Sequence, residues 1–295
     1  MPIAGYNGVD STGILLPSSN LITLALSSDN STVSVGSAVG GRIDHVGVPG
    51  LLLGGGISFY SSQHGFASDN VVKYQCILSS GAVVEATAYN AYSDLFWALR
   101  GGGNSFCIMT RFDLKTVPSS QVHIDIAQFN QLQTEGYLDG VYNSGKYGAP
   151  ADFKAAIIPT ILTFPSETLT VYAAAKFYDS LTDSPSAFEN FTAPKLAPAA
   201  DSYALQPLAD YIAETDALQP NGLRQAFQIL LPVVDTEVIQ EFHDASISQV
   251  TSKLSSITGL QASITFLPVT KSFLQKSVDS GGNPQAFDVS KPPFF

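Results

Sequence analysis

At 295 residues, with 45% hydrophobic and 13% charged side chains, the chain is long enough for one large or two ordinary domains. It has the balance of a core-building globular protein, which excludes disorder throughout. A formal net charge of −11 leaves no basic stripe to neutralise phosphates, so nucleic acid and anionic membrane surfaces are set aside as partners.

The first 118 residues are rich in Gly, Ser and short β-type runs. Leu21 to Leu26 and Thr32 to Val35 flank a Ser-Ser-Asp-Asn turn, and Val71 to Leu78 and Ala82 to Ala86 flank Ser79-Ser80-Gly81, so both pairs read as hairpins. Between them, Pro49 near a helix start and apolar Leu51 to Leu53 predict a short buried helix that runs into three glycines. Ser93 or Asp94 is placed to cap a second helix, with Leu95, Phe96 and Leu99 on its apolar face and Trp97 read as core. That helix ends at Gly101-Gly102-Gly103.

From about Gln121 the elements lengthen. Strands are expected at Val122 to Phe129, Phe153 to Phe164, Leu169 to Tyr178, Ala226 to Val234 and Gln261 to Leu267. Helices are expected near Leu132 to Tyr142, Leu205 to Glu214 and Glu237 to Ser256. Antiparallel-length strands mixed with helices on one side predict an α+β second domain, joined to the first through Thr116-Val117-Pro118-Ser119-Ser120.

The chemistry-bearing residues are sparse. Cys76 and Cys107 sit in no CxxC or Cys/His spacing and read as two free, buried small hydrophobes. The histidines, His45, His64, His123 and His243, are scattered singly, which gives no metal site. His64 before Gly65 reads as a packing or surface residue, and the neighbours Asp44 and His45 point to opposite faces of a strand. No apolar run is long enough to span a membrane, and the N-terminus lacks the basic-then-apolar pattern of a signal peptide.

The sharpest local feature is Gly47-Val48-Pro49-Gly50-Leu51-Leu52-Leu53-Gly54-Gly55-Gly56. Three glycines inside an apolar stretch forfeit about 1 kcal/mol each of helix propensity relative to alanine, so something must compensate. Glycine admits a ligand close to backbone N–H groups, and it equally admits tight helix-on-sheet packing; both readings stay open on this motif alone. A second cluster, Phe96 to Phe106, again joins a helix to a strand through glycines. Neither is followed by Gly-Lys-Ser or Gly-Lys-Thr, and neither fits G-x-G-x-x-G after a strand, which argues against an NTPase and a Rossmann NAD site.

Read together, Val39-Gly40-Gly41-Arg42, Gly47 to Gly56, Gly65 to Val72, Asp94 to Gly103 and Thr110-Arg111-Phe112-Asp113-Leu114 resemble, in order and spacing, the PCMH-type FAD-binding domain of the vanillyl-alcohol-oxidase and berberine-bridge-enzyme-like family, fungal branch. The resemblance implies a partial FAD-binding domain over residues 1–118 and an α+β substrate domain with an antiparallel sheet over 119–295. It implies that Gly54, Gly55 and Gly56 line the dinucleotide together with Gly47 and Gly50 of the same motif. Asp69, Asn70 and Val71 would approach it through backbone, Phe106, Cys107, Ile108 and Thr110 would run along it, and Tyr6 and Asn7 would sit at the flavin end. The activity implied is oxidase-type hydride transfer from a small alcohol, sugar or specialised metabolite to flavin, with oxygen as reoxidant.

The chain departs from the family pattern in several places. It begins after the usual pyrophosphate-binding subdomain and its flavin-linking histidine, so any bound FAD is expected to be non-covalent; it passes almost directly from Val33-Ser34-Val35-Gly36 to Ala38-Val39-Gly40; and it stops before the usual C-terminal return, so the sequence reads as truncated at both ends with an internal deletion. Ile43 stands where some members carry a second flavin-linking Cys, and Cys107 and Met109 replace Gly and Val, with the Cys107 side chain expected to intrude on the cofactor. No catalytic base is carried over. The alternative reading is a flavin-free descendant, acting as a binding protein or a cofactor-independent cyclase or isomerase.

Overall fold

The computed structural model of the chain describes residues 32–33, 39–43, 46–116, 121–183, 186–218, 222–291 and 293–295. Tyr6, Asn7, the Leu21 to Leu26 strand, Asp44, His45 and most of the 116–120 linker lie outside the described residues. The chain divides into two compact units: residues 1–118 with 212–228 and 275–287, and residues 119–211 with 229–274 and 288–295. The fold class is α+β, helices over antiparallel sheet.

In the first unit a four-stranded antiparallel sheet runs in the order β1 (Thr32–Val33), β4 (Ile108–Lys115), β2 (Val71–Ile77), β3 (Val83–Ala86). The expected β2–β3 hairpin forms, with Tyr74 opposite Ala86 and the turn closed by Gly81 at φ +84°. Helices α1 (Val48–Leu53), α2 (Ser61–His64) and α3 (Ser93–Leu99) connect the strands. Pro in the first turn of α1 costs nothing there, because its missing N–H would be unpaired anyway. Helix α3 buries Phe96 and Leu99 and starts after Tyr92, which makes no side-chain cap; the Asp94 carboxylate accepts from Leu95 N–H at 2.7 Å. Trp97 departs from expectation: it is 46% exposed, because successive helical positions rotate it off the stripe that Phe96 and Leu99 occupy.

The second unit is built on an antiparallel sheet in the order β10 (Ala262–Thr265), β6 (Ala155–Phe164), β7 (Leu169–Tyr178), β5 (Val122–Phe129), β8 (Ala200–Asp201), with β9 (Ala204–Gln206) also paired to β5. Alternation along β6 sends Ala155, Ile157 and Ile161 to the core with Phe129, Tyr172 and Ala174. Helix α4 (Thr134–Asn143) contributes Tyr137, Leu138 and Val141 to that core, and helix α7 (Thr236–Leu254) contributes Ile239. The short α5 (Ala149–Ala151) and α6 (Leu208–Thr215) precede α7. Helix α8 (Lys271–Asp279) follows it and was not anticipated from the sequence.

One expected strand does not form. Residues 226–234 form no strand beyond a Val233–Phe294 bridge, which Val234 N–H on Pro293 O and Phe295 N–H on Pro232 O flank, and Phe227, Ile229, Leu230 and Leu231 are all exposed. The apolar run carries strand propensity, but among the described residues no strand pairs with it.

Candidate functional site

Two glycine turns meet in the first unit. Helix α1 ends at Gly54, whose N–H donates to Gly50 O at 3.2 Å, and the chain turns through Gly55 at φ +96° and Gly56 at φ +77°, where an L side chain is strained. The turn after α3 comes against it: Gly103 N–H donates to Leu53 O at 2.9 Å, and a Cβ on Gly101 would stand 3.6 Å from Gly55 Cα. The Gly54–Gly56 turn also receives Ala67 N–H on Gly56 O (2.8 Å) and Ser68 N–H on Gly55 O (2.9 Å). A Cβ at Gly56 would lie 2.8 Å from Leu51 Cγ, so this glycine is required by packing. Gly47 and Gly50 differ: both are exposed, and nothing lies within 4 Å of where their Cβ atoms would be.

The Asp69-Asn70-Val71 segment is locked from behind. Asp69 Oδ1 forms a buried ion pair with Arg100 Nη2 at 2.6 Å, with side-chain exposures of 0% and 3%. Its Oδ2 accepts from Phe66 N–H at 2.9 Å, and Arg100 Nη1 donates to Ser280 O at 2.7 Å. Asn70 Nδ2 donates to His64 O and Phe66 O, both at 3.0 Å, so the His64 backbone serves this turn while its ring lies 6.2 Å from that of Tyr60. The side chains of all three candidates are therefore buried, and the Asp69 and Val71 N–H groups are themselves bonded to Phe66 O and Ser68 O. Burial pushes the neighbouring Tyr74 hydroxyl up, a shift that Arg100 partly opposes.

The Phe106 to Thr110 segment corrects the reading of the cysteines. Cys76 on β2 and Cys107 are joined as a disulfide, with Cα atoms 5.9 Å apart. The two lie 31 residues apart in sequence, and only the pairing of β2 with β4 brings them together. The Cys107 side chain is thus drawn towards β2. Thr110 Oγ1 donates to Gln75 O at 3.0 Å across a register shift between Gln75 and Cys76. Phe106 and Ile108, by contrast, present exposed apolar side chains, and the Phe106 ring packs over Gly102.

Sequence reasoning missed Gln285. Its Nε2 donates to Gly54 O at 3.3 Å, and its amide is the nearest atom to a Cβ built on either Gly55 or Gly101. The available signal was the Gly281-Gly282-Asn283-Pro284 turn, in which Asn283 Oδ1 accepts from Gln285 N–H at 3.0 Å.

In the second unit Tyr172 is buried, and its hydroxyl meets His243 Nε2 at 2.8 Å, with Asp244 on His243 Nδ1 at 2.7 Å. Among the described residues no cluster of His, Cys, Asp or Glu could hold a metal ion, and no helix is long and apolar enough to cross a membrane.

These residues fit a dinucleotide in two respects. No side chain stands over Gly47, Gly50 or Gly103, and Ile43, Val46, Phe106 and Ile108 of the same motif segments offer exposed apolar surface. The chain has the fold of the PCMH-type FAD-binding proteins. It superposes on BBE-like 28 from Arabidopsis thaliana with a TM-score of 0.62 at 18% identity, covering 84% of this chain and 55% of that one. It superposes equally, TM-score 0.62 at 18% identity, on a xylooligosaccharide oxidase from Myceliophthora thermophila solved with xylobiose, covering 84% and 56%.

Its sequence relatives are more specific. The chain is 30% identical over 272 residues to the FAD-dependent monooxygenase FUP4 of Fusarium proliferatum, covering 87% of this chain and 51% of that protein. It is 33% identical over 220 residues to the FAD-dependent monooxygenase prx3 of Penicillium roqueforti, covering 65% and 43%. No protein-family model matches the chain. The chain is a homologue of fungal FAD-dependent monooxygenases, shares its fold with the berberine-bridge-enzyme-like proteins, and spans about half the length of the curated relatives it matches.

Proposed function

We propose that the chain acts as an FAD-dependent oxidoreductase on a small alcohol, sugar or specialised metabolite, with residues 1–118 as the cofactor domain and 119–295 as the substrate domain. Bound FAD supplies the hydride acceptor, and oxygen regenerates it. The observation that carries the reading is the contact of the two glycine turns, Gly103 N–H on Leu53 O, in a chain homologous to FAD-dependent enzymes. In this reading that contact aligns the Gly47-to-Gly56 motif with the segment that follows Gly103, Phe106 to Thr110. In this reading Gly47 and Gly50 admit the cofactor, Phe106 and Ile108 cover an apolar ring, and Asp69, Asn70 and Val71 offer backbone alone. Tyr6 and Asn7 keep their place at the flavin end as part of the same proposal.

Binding is non-covalent in this proposal: Ile43 cannot form a thioether, the Cys107 sulfur is already spent on Cys76, and no histidine stands among the candidate residues. The test is the visible spectrum of the purified chain after incubation with FAD and gel filtration, before and after acid precipitation. A flavin spectrum that moves to the supernatant on precipitation is expected. A monodisperse folded protein that stays colourless at saturating FAD would overturn the reading and favour the cofactor-independent alternative.

A further inference from the structure

We infer that the Cys76–Cys107 disulfide is a positioning device for the cofactor, fixing the Phe106–Ile108 ledge against β2 so that it is formed before FAD arrives. The inference rests on the function proposed above. Two observations carry it. First, the bond joins a wholly buried strand residue, Cys76, to the residue between the two exposed apolar side chains Phe106 and Ile108. Ile108 is already paired with Ile77, so without the disulfide Phe106 and Cys107 would be left between the end of the ladder and Gly101-Gly102-Gly103, where both Gly101 and Gly103 have positive φ. A run of glycines gives the ledge large conformational freedom to lose on binding, and a covalent tether removes that loss in advance.

Second, the tether lies at the end of the β2–β4 ladder, beside a shift in its register. The β2–β4 register shifts between Gln75 and Cys76, and the Thr110 hydroxyl is diverted to Gln75 O. Beyond that irregularity the ladder resumes for two pairs, Cys76 with Met109 and Ile77 with Ile108, and the disulfide ties Cys107, the residue just before β4, to the same stretch of β2. The bond also turns the Cys107 side chain to the β2 side, which leaves Phe106 and Ile108 to present the apolar surface. A thiol released there would have freedom to swing into the space where backbone is required.

The experiment compares FAD affinity of the intact chain, by quenching of flavin fluorescence, in its disulfide form and after reduction by a dithiol. The dithiol gives two electrons and two protons to the bond, yields two thiols and closes to its own cyclic disulfide. FAD affinity is expected to fall about tenfold on reduction, measured well below the unfolding temperature. Hydrogen exchange at residues 106–110 should rise while that of β2 and β3 is unchanged. A merely structural staple would lower the melting temperature and leave both the affinity of the folded protein and the local exchange unmoved, which would overturn the inference.

C76A/C107G is the second arm. It removes both thiols and places glycine at 107, so it should match the reduced protein in exchange at 106–110. If the variant does not fold, the reduced native chain still decides the question. Failure of the functional reading is distinguishable: a chain that binds no FAD in either form, yet loosens at 106–110 on reduction, keeps the ledge and loses the cofactor.

Discussion

Replacing Arg100 by methionine is the most demanding test of the structure around the glycine turns. Arg100 is 3% exposed and its partner Asp69 carboxylate is 0% exposed, so the substitution leaves a negative charge in the core with a single remaining donor, Phe66 N–H. Ser280 O loses its guanidinium donor at the same time. Breaking one side of a buried pair costs about 3–5 kcal/mol, and with exposures this low solvent screening offers little relief. Urea denaturation of R100M should therefore show a loss of that size, a large part of the roughly 5–15 kcal/mol of a typical domain. The double variant D69N/R100M removes the stranded charge along with the arginine and should be more stable than R100M alone. A cost below about 1 kcal/mol for R100M, or a double variant no better than the single, would refute the reasoning, because the pair would then be solvated or dispensable.

The glycines separate by role. Gly56→Ala meets Leu51 Cγ at 2.8 Å at φ +77° and should cost about 1–3 kcal/mol in denaturant melts, whereas Gly50→Ala, helical and open, should gain up to about 1 kcal/mol and weaken FAD binding in a fluorescence titration. The Lys176–Asp201 pair is lopsided: Lys176 is 2% exposed in its side chain and Asp201 is 25% exposed. Lys176→Met leaves a carboxylate that water reaches, while Asp201→Ala strands a buried ammonium, so D201A should unfold at lower urea than K176M. Asp244 is held below its ordinary pKa first by a hydrogen bond from Gln240 and then by His243. A depressed carboxylate contributes stability above its unfolded pKa and loses it as pH falls through the folded value. D244N should therefore match the native chain at low pH and fall behind it only above the carboxylate range, as read by melting temperature against pH; a gap that persists in acid would show that charge is not the cause.

Much of this was legible in the sequence. Hydrophobic periodicity located β5, β7, α4 and α7 within a few residues, because alternation and helical spacing are local properties that burial on one face imposes directly. The order of the glycine motifs pointed to the family, since backbone turns at positive φ tolerate few other residues. What the sequence could not hold were relations between distant positions. Cys76 and Cys107 looked like two unconnected buried thiols until the β2–β4 register made them neighbours.

The triple glycine at 54–56 was open to two readings, and tertiary contact shows the packing demand at Gly56 and the touching turns at Gly55 and Gly101. Residues 226–234 had the propensity for a strand and form none beyond one bridge, for pairing needs a partner that propensity cannot provide. The sequence by itself determined most of the local elements and the resemblance to FAD-binding proteins; the tertiary structure decided which glycines pack, which thiols bond and which charges are buried, because each of those depends on what lies across space from the residue.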